Sequence, residues 1–232
     1  MNKYVLIVAG GKGLRMGGDL PKQFIPMRGK PLLMHTLEAF HRWDASARII
    51  LVLPEDHQPY WNMLCKEIGC KVPHAIVKGG DTRFYSDKNG LDWLLAERRR
   101  KGEEDSGLSL VAVHDGVRPF VSPEVVEACF DKAAVTGAVI PVVPMIDSLR
   151  ETDEKGSHPV DRSRYMAVQT PQVFHLELLT KAYEQPYSSL FTDDASVVEA
   201  MGHAIDTVPG DRENIKITTP FDLLIAEAMF AR

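Results

Sequence analysis

The chain has 232 residues, 44% hydrophobic and 25% charged, so it is long and apolar enough to bury a full core. Its formal net charge of −5 argues against general affinity for nucleic acid, which requires a basic surface. The cysteines are odd in number and lack the spacing of a zinc site or a disulfide framework: Cys65, Cys70 and Cys129. We therefore expect a reducing compartment and a cytoplasmic location.

The first thirty residues differ from the rest because their basic side chains face one acid, Asp19. The six cations are Lys3, Lys12, Arg15, Lys22, Arg28 and Lys30. A local excess of positive charge in an acidic chain favours a small anionic ligand over a nucleic acid. The apolar run before Gly10 spans only about seven residues, too few to cross a membrane, so no membrane partner is expected.

The first predicted element is a buried strand at residues 4–9, which leads into a glycine-rich segment and then into Pro21. Glycines let the backbone approach a ligand closely, and Arg15 and Lys22 add positive charge, so the pattern indicates a phosphate site. It is not a Walker A loop, because no hydroxyl residue follows Lys12. A dinucleotide fingerprint, and with it a dehydrogenase, is disfavoured because Met16 replaces its third glycine. A glycine-rich turn with solvated cations remains the alternative.

Further along the chain, apolar runs of strand length alternate with helical patterns, the order typical of a parallel α/β sheet. The remaining predicted strands are 48–53, 74–77, 108–114 and 138–143. The predicted helices are 31–43, 56–68, 82–100, 123–134 and 220–230. The pattern predicts one α/β domain over residues 1–232, with a Rossmann-like, open, mostly parallel sheet flanked by helices.

Two polar clusters follow predicted strands, where open α/β sheets place ligands. In the first, Asp81 or Thr82 caps a helix and Ser86 lies one turn further on, so an acid and a hydroxyl can read the edge of a base. An ordinary capped helix start is the alternative. In the second, Asp115 can hold Mg²⁺ or a ribose hydroxyl and Arg118 can face a phosphate, whereas the alternative is a loop salt bridge.

The segment 145–167 is polar and has too few apolar residues to face a core. Patches at 147–150 and 159–162 predict a protruding two-stranded arm around a turn at 151–158, and this arm is the first candidate for a dimer contact. A last short strand is predicted over 211–218, with Lys216 pointing away from the core that Ile215 and Ile217 enter. By itself, Lys216 is most simply a solvated lysine.

Together these segments resemble the cytidylyltransferases that act on sugar-alcohol phosphates, and the resemblance covers essentially the whole chain. Eight motifs carry it in order: AGGKGLRM at 9–16, PKQ at 21–23, GGDTR at 79–83, HDGVRP at 114–119, VDR at 160–162, QTPQVF at 169–174, TDDAS at 192–196 and NIKIT at 214–218. Within the family, the match favours the branch that acts on 2-C-methyl-D-erythritol 4-phosphate. A ribitol 5-phosphate enzyme is the alternative, and a non-catalytic nucleotide-binding regulatory module is the alternative from another class.

The resemblance implies a nucleotidyltransferase type A-like fold and transfer of CMP from CTP to a polyol phosphate, with Mg²⁺ or another divalent cation. It assigns catalysis to Arg15, Lys22, Arg162 and Lys216. It assigns nucleotide binding to Ala9, Gly10, Gly11, Gly13, Gly80, Asp81, Ser86 and Asp115. It assigns substrate binding to Asp115, Arg118, Ser148, Arg162 and Lys216.

The same resemblance implies a homodimer in which the arm at 145–167 exchanges between subunits, so that Ser148 and Arg162 complete the partner's site. The metal would be held through the CTP phosphates, or by Asp115. The pattern assigns no role to three further residues, His175, Met201 and His203.

Overall fold

Strands of apolar residues form the centre of the fold in the computed structural model, which describes residues 1–10, 20–104 and 107–231. The strands are β1 Asn2–Val8, β2 Pro26–Met27, β3 Lys30–Pro31, β4 Arg48–Leu53, β5 His74–Lys78, β6 Ser109–Asp115, β7 Ala138–Pro144, β8 Arg150–Asp153, β9 Gly156–Pro159, β10 Met166–Val168, β11 Gln172–His175 and β12 Asp206–Pro209. The helices are α1 Leu32–Trp43, α2 Gln58–Ile68, α3 Arg83–Lys101, α4 Pro123–Thr136, α5 Leu176–Ala182, α6 Asp194–Glu199 and α7 Pro220–Phe230.

One eight-stranded sheet carries the fold, in the order β10-β7-β11-β6-β1-β4-β5, with β12 also paired to β7. Strand β1 runs parallel to β4 and β6, β4 runs parallel to β5, and β12 runs parallel to β7. Strand β11 is antiparallel to both β6 and β7, and β10 is antiparallel to β7. The predicted single-domain α/β fold with a mostly parallel sheet is therefore confirmed.

Helices cover both faces of the sheet, and β1 shows why its sequence is apolar throughout. Val5 and Ile7 pack with α1 and α4 in one core cluster, whereas Tyr4 and Leu6 pack with α3 and α5 in another. Alternate residues of a strand point to opposite faces, so a strand buried on both sides needs apolar residues at every position. This burial holds the end of β1 at a fixed place at the centre of the sheet.

The five predicted strands other than 211–218 are present, as are the five predicted helices, with ends shifted by at most two residues. The strand predicted over 211–218 is wrong. Side chains, and not a neighbouring strand, form hydrogen bonds with this backbone. The Gln169 amide donates to the carbonyl of Asp211 and accepts from its N–H, and Arg118 donates to the carbonyl of Asn214. The alternation of Ile215 and Ile217 therefore reflects burial without strand pairing.

The predicted arm is present as an exposed hairpin of β8 and β9. Its pairing lies closer to the turn than the predicted patches, over 150–153 and 156–159. Gly156, with φ +133°, allows the reversal, and the Arg150 side chain donates to Ser157 across the two strands. Within the described residues, none of the helices has the length and apolar character needed to span a membrane.

Candidate active site

A cleft of about 270 Å³ opens at the carboxyl ends of the central parallel strands. Thirteen residues line it: Val8, Ala9, Gly10, Lys22, Gln23, Gly80, Asp81, Thr82, Arg83, Ser86, Asp115, Val117 and Lys216. The fold thus brings together eight of the residues that the sequence indicated, from five separate segments of the chain. Open α/β sheets place ligands at this edge, so the cleft is the candidate active site.

The ends of two strands fix the floor of the cleft. Strands β1 and β6 are in register with Val8 beside Asp115, so both strands end at the same level. The Ala9 N–H donates to the carbonyl of Val52 at 3.0 Å, and the Gly116 N–H donates to the carbonyl of Val8 at 2.9 Å. These bonds hold Ala9 and Asp115 on rigid backbone rather than on free loops.

One wall of the cleft is the turn that starts α3. Thr82 is the N-cap, because its hydroxyl accepts from the Tyr85 N–H, which settles the choice between Asp81 and Thr82. The Ser86 hydroxyl accepts from the Gly80 N–H at 3.0 Å and lies 2.9 Å from the Thr82 carbonyl, to which it donates. A side chain at Gly80 would place its Cβ 2.4 Å from Tyr85 Cβ, so only glycine fits the turn.

Another part of the cleft lining begins at Lys22, the first residue of a short 3₁₀ helix, Lys22–Phe24. Next to it, the buried Gln23 amide donates to the carbonyl of Ala9 at 2.9 Å and lies 3.2 Å from His57 Nδ1. This bond ties together the two ends of the glycine-rich segment. The sequence placed Gln23 in a motif but gave it no role.

Asp115 is the electrostatic centre of the cleft. Its carboxylate accepts from Arg83 at 2.8 Å, from Arg118 at 3.1 Å and from Lys216 at 3.0 Å. Burial alone would raise the pKa of Asp115, but the three positive charges lower it well below its usual value. Asp115 is therefore ionised at neutral pH, and it holds the Lys216 ammonium beside the cleft.

Arg118 lies behind this carboxylate and not on the wall of the cleft. It is buried, and it also donates to the carbonyl of Asn214 at 2.8 Å. The salt bridge considered as the alternative for Arg118 is thus present, although it is buried rather than exposed. In this structure Arg118 fixes Asp115 and connects it to the segment that carries Lys216.

Other predicted site residues lie away from the cleft or outside the described residues. Ser148 and Arg162 are exposed on the arm, where Arg162 bonds to the carbonyl of Ile146. Three predicted site residues of the glycine-rich segment lie outside the described residues: Gly11, Gly13 and Arg15. Arg83 is the main site residue that sequence reasoning missed, and its place in the GGDTR motif beside the predicted base-reading residues was the available signal.

His114 shows how the strand before Asp115 is held. Its Nε2 donates to the carbonyl of Arg118 at 3.0 Å, and its Nδ1 lies 3.1 Å from the Thr170 hydroxyl, which also accepts from the Asp115 N–H. Burial lowers the pKa of His114 to about 4. The imidazole is therefore neutral at physiological pH, and it serves as a structural link rather than as a charge.

The surroundings of Asp115 do not suit a metal ligand. Both carboxylate oxygens already accept hydrogen bonds from cationic side chains, which would repel a divalent ion. Over the described residues, no group of three or more His, Cys, Asp or Glu side chains has the arrangement to hold a metal ion.

Comparison with known proteins identifies the family. The family model described as 2-C-methyl-D-erythritol 4-phosphate cytidylyltransferase (IspD) matches residues 4–232. The chain belongs to this family. Among curated relatives, the 2-C-methyl-D-erythritol 4-phosphate cytidylyltransferase of Bacteroides fragilis is 55% identical over 229 residues, which cover 99% of this chain and all of the relative.

Solved structures agree with this assignment. The crystal structure of the Thermus thermophilus 2-C-methyl-D-erythritol 4-phosphate cytidylyltransferase has a TM-score of 0.74 at 31% identity and covers all of both chains. That of 4-diphosphocytidyl-2C-methyl-D-erythritol synthase from Anaerococcus prevotii has a TM-score of 0.79 at 28% identity, covering all of this chain and 96% of the other. The predicted family, its erythritol branch and the prediction of an enzyme are confirmed.

Proposed function

We propose that the cleft transfers CMP from CTP to 2-C-methyl-D-erythritol 4-phosphate, a step of isoprenoid precursor biosynthesis. An oxygen of the substrate phosphate attacks the α-phosphorus of CTP, the bond to the β-phosphate breaks, and pyrophosphate leaves with its electron pair. The products are 4-diphosphocytidyl-2-C-methyl-D-erythritol and pyrophosphate. The observation that carries this proposal is the convergence in one cleft of the base-reading turn, Lys22 and Lys216, in a chain that belongs to this family throughout.

The nucleotide would lie between the turn at 79–86 and the end of β1. Gly80, Asp81 and Ser86 supply backbone groups, a carboxylate and a hydroxyl within reach of a pyrimidine edge. Ala9 and Gly10 present backbone to the nucleotide at the start of the glycine-rich segment, and Gly11 and Gly13 continue it in this proposal. Asp115, on the facing strand end, lies where a ribose hydroxyl can bond to its carboxylate.

Positive charge is the main catalytic requirement, because two anions must meet and charge builds up on the α-phosphate. We assign Lys22, together with Arg15, to the triphosphate and to stabilisation of that charge. Lys216 and Arg162 would orient the attacking phosphate, which is already ionised at neutral pH and needs no general base. Arg118 acts on the substrate side through Asp115.

Mg²⁺ or another divalent ion would reach the site through the CTP phosphates, since Asp115 is occupied by cations. When bound there, the ion neutralises phosphate charge.

We also propose a cytoplasmic location, because the three cysteines are free and a reducing compartment keeps thiols in that state.

The arm supports a homodimer. Its hairpin is exposed along its whole length, so it buries little against its own subunit, and two-stranded hairpins are marginal alone. Ser148 and Arg162 lie on this arm, over residues 145–167, and do not line the cleft of their own subunit. We propose that each arm reaches the partner's cleft and supplies these two residues to it.

The assay for this function measures pyrophosphate release with CTP, Mg²⁺ and either 2-C-methyl-D-erythritol 4-phosphate or ribitol 5-phosphate. We expect turnover with the erythritol substrate, and faster turnover with ribitol 5-phosphate would contradict the assignment.

Lys22→Ala should lower turnover by about 10²–10³ and leave the melting temperature nearly unchanged. The exposed Lys132, on the far helix α4, provides the control Lys132→Ala, which should behave as wild type. CTP binding without pyrophosphate release with either polyol would instead indicate a regulatory module.

A further inference from the structure

A buried acidic group lies behind the cleft and reaches it through one side chain. Arg83 lines the cleft and donates to Asp115 Oδ1 and to Asp194 Oδ2, both at 2.8 Å. Asp194 is fully buried, does not line the cleft and belongs to the TDDAS motif. The guanidinium therefore spans two carboxylates, one in the site and one beneath it.

The motif around Asp194 keeps that carboxylate at a fixed position. Asp193 caps α6 in a reciprocal capping box with Ser196. Gln172 on β11 donates to Asp193 Oδ2 at 2.8 Å and accepts from the Ala195 N–H at 2.9 Å. Asp194, between these two anchored residues, cannot shift without breaking them.

Two further side chains, Tyr183 and Asp87, contact this cluster. The Tyr183 hydroxyl donates to Asp194 Oδ1 at 2.7 Å, so both Asp194 oxygens are engaged. Asp87 lies 3.5 Å from Arg83 Nε, and burial and the charge of Asp194 hold the pKa of Asp87 well above its usual value. Of the two fully buried aspartates beside Arg83, Asp194 is therefore the one that accepts a direct hydrogen bond from its guanidinium.

The two oxygens of Asp115 have different partners. Oδ1 accepts from Arg83, whereas Oδ2 accepts from Arg118 and from Lys216 at 3.0 Å. If Arg83 were not held from behind, its guanidinium would be free to turn into the cleft and pair with phosphate. Asp115 would then lose its anchor on Oδ1, and the ammonium of Lys216 would lose its fixed position.

We propose that Asp194 is a positioning residue of this site, which acts through Arg83 to set the orientation of Asp115 and thereby of Lys216. This inference rests on the proposed function, in which Lys216 orients the attacking phosphate. It assigns a role to the TDDAS motif, which the sequence left without one. It also predicts that loss of the Asp194 charge weakens the use of the polyol phosphate and not of CTP.

The test is Asp194→Asn, which keeps the shape of the side chain and removes its charge. The expected result is a rise in KM for 2-C-methyl-D-erythritol 4-phosphate of about tenfold or more, a lower kcat, and a KM for CTP within about threefold of wild type. Asp92→Asn, the same substitution at an exposed residue of α3 that pairs with Lys88 away from the cleft, is the matched control and should leave both KM values unchanged. A kcat that falls with both KM values unchanged, as loss of folded enzyme would produce, overturns the proposal, as does wild-type behaviour.

Tyr183→Phe is the second variant, for use if Asp194→Asn does not fold. It removes the hydrogen bond to Asp194 Oδ1 without a change of charge, and it should raise the same KM by a few fold. A crystal structure of either variant provides a readout independent of activity, since the Arg83 guanidinium should have left Asp115 Oδ1. An unmoved Arg83 overturns the proposal. If the wild-type enzyme does not use the substrate, the proposed function fails, and the position of Arg83 still decides the structural step.

Discussion

His114 and Asp115 are consecutive buried residues at the end of β6, and the fold keeps only one of them charged. Burial leaves the His114 imidazole neutral, whereas burial is outweighed at Asp115 by the nearby cations, which keep the carboxylate ionised. A protonated His114 would add a positive charge beside Arg118, and its Nδ1 would become a donor, so the Thr170 hydroxyl would have to accept from it. Neutral histidine therefore supports the strand end without disturbing the charges in the cleft.

This arrangement predicts a loss of stability in mild acid. In the unfolded chain His114 takes up a proton near its usual pKa of about 6.5, whereas the folded imidazole stays neutral down to about 4. The unfolded state therefore binds more protons in this window, and the free energy of unfolding falls as pH falls from about 6.5 to about 4. The contribution of His114 is about 3 kcal/mol. Urea unfolding at several pH values, compared between wild type and His114→Gln, measures it.

His35 and His74 also have pKa values lowered by burial, so the informative quantity is the difference between the two proteins. His114→Gln should show a shallower pH dependence in this window, whatever its stability at pH 7. Equal slopes for the two proteins would show that His114 titrates normally in the folded state.

At the scale of elements, the turn between β5 and α3 combines two constraints at Gly80. Its N–H donates to the Ser86 hydroxyl, and its Cα faces Tyr85 with no room for a Cβ. Residues 80–86 therefore form both the tight start of α3 and part of the cleft lining. A substitution at Gly80 should weaken ligand binding more than it lowers the stability of the fold, because the turn lies at the surface.

Gly80→Ala should raise KM for CTP about tenfold, the equivalent of roughly 1.4 kcal/mol, because the turn must open to admit the methyl group. Steady-state kinetics with varied CTP, together with thermal melting, measure the two effects. Gly69→Ala is the control: Gly69 has φ +74° and open space around it, so alanine there costs about 1–2 kcal/mol of stability without touching the cleft. If both variants raise KM for CTP equally, the effect comes from stability and not from the turn.

Long elements could be predicted from the sequence because each carries its own local signal: β4 is a continuous apolar run, and α4 repeats apolar residues at helical spacing. The antiparallel strand β11 has only four residues, and its place between β6 and β7 depends on partners far along the chain. The cleft was predicted in outline, since its glycines and charges follow strand ends. The role of Arg83 was not, because it pairs with carboxylates 32 and 111 residues away, which no local pattern reveals.

At the scale of the molecule, the candidate active-site cleft of an acidic chain is lined by three cationic side chains. The net charge is −5, yet Lys22, Arg83 and Lys216 line the cleft. These three cations give a polyanionic ligand a local site of attraction on a chain whose net charge is negative. The proposed contribution of the partner's Arg162 would add one more positive charge to the cleft and would make the complete site a property of the dimer.

The dimer proposal predicts complementation between two inactive chains. Lys216→Ala removes a cation of the cleft, and Arg162→Ala removes one of the arm, so each homodimer should lose most of its activity. In a mixed dimer, the subunit that keeps Lys216 receives the arm that keeps Arg162, and one of the two sites is intact. Random exchange of equal amounts should restore about one quarter of wild-type turnover, because half of the dimers are mixed and each has one working site. Native mass spectrometry verifies the exchange, and mixed dimers without activity would mean that each arm serves its own subunit.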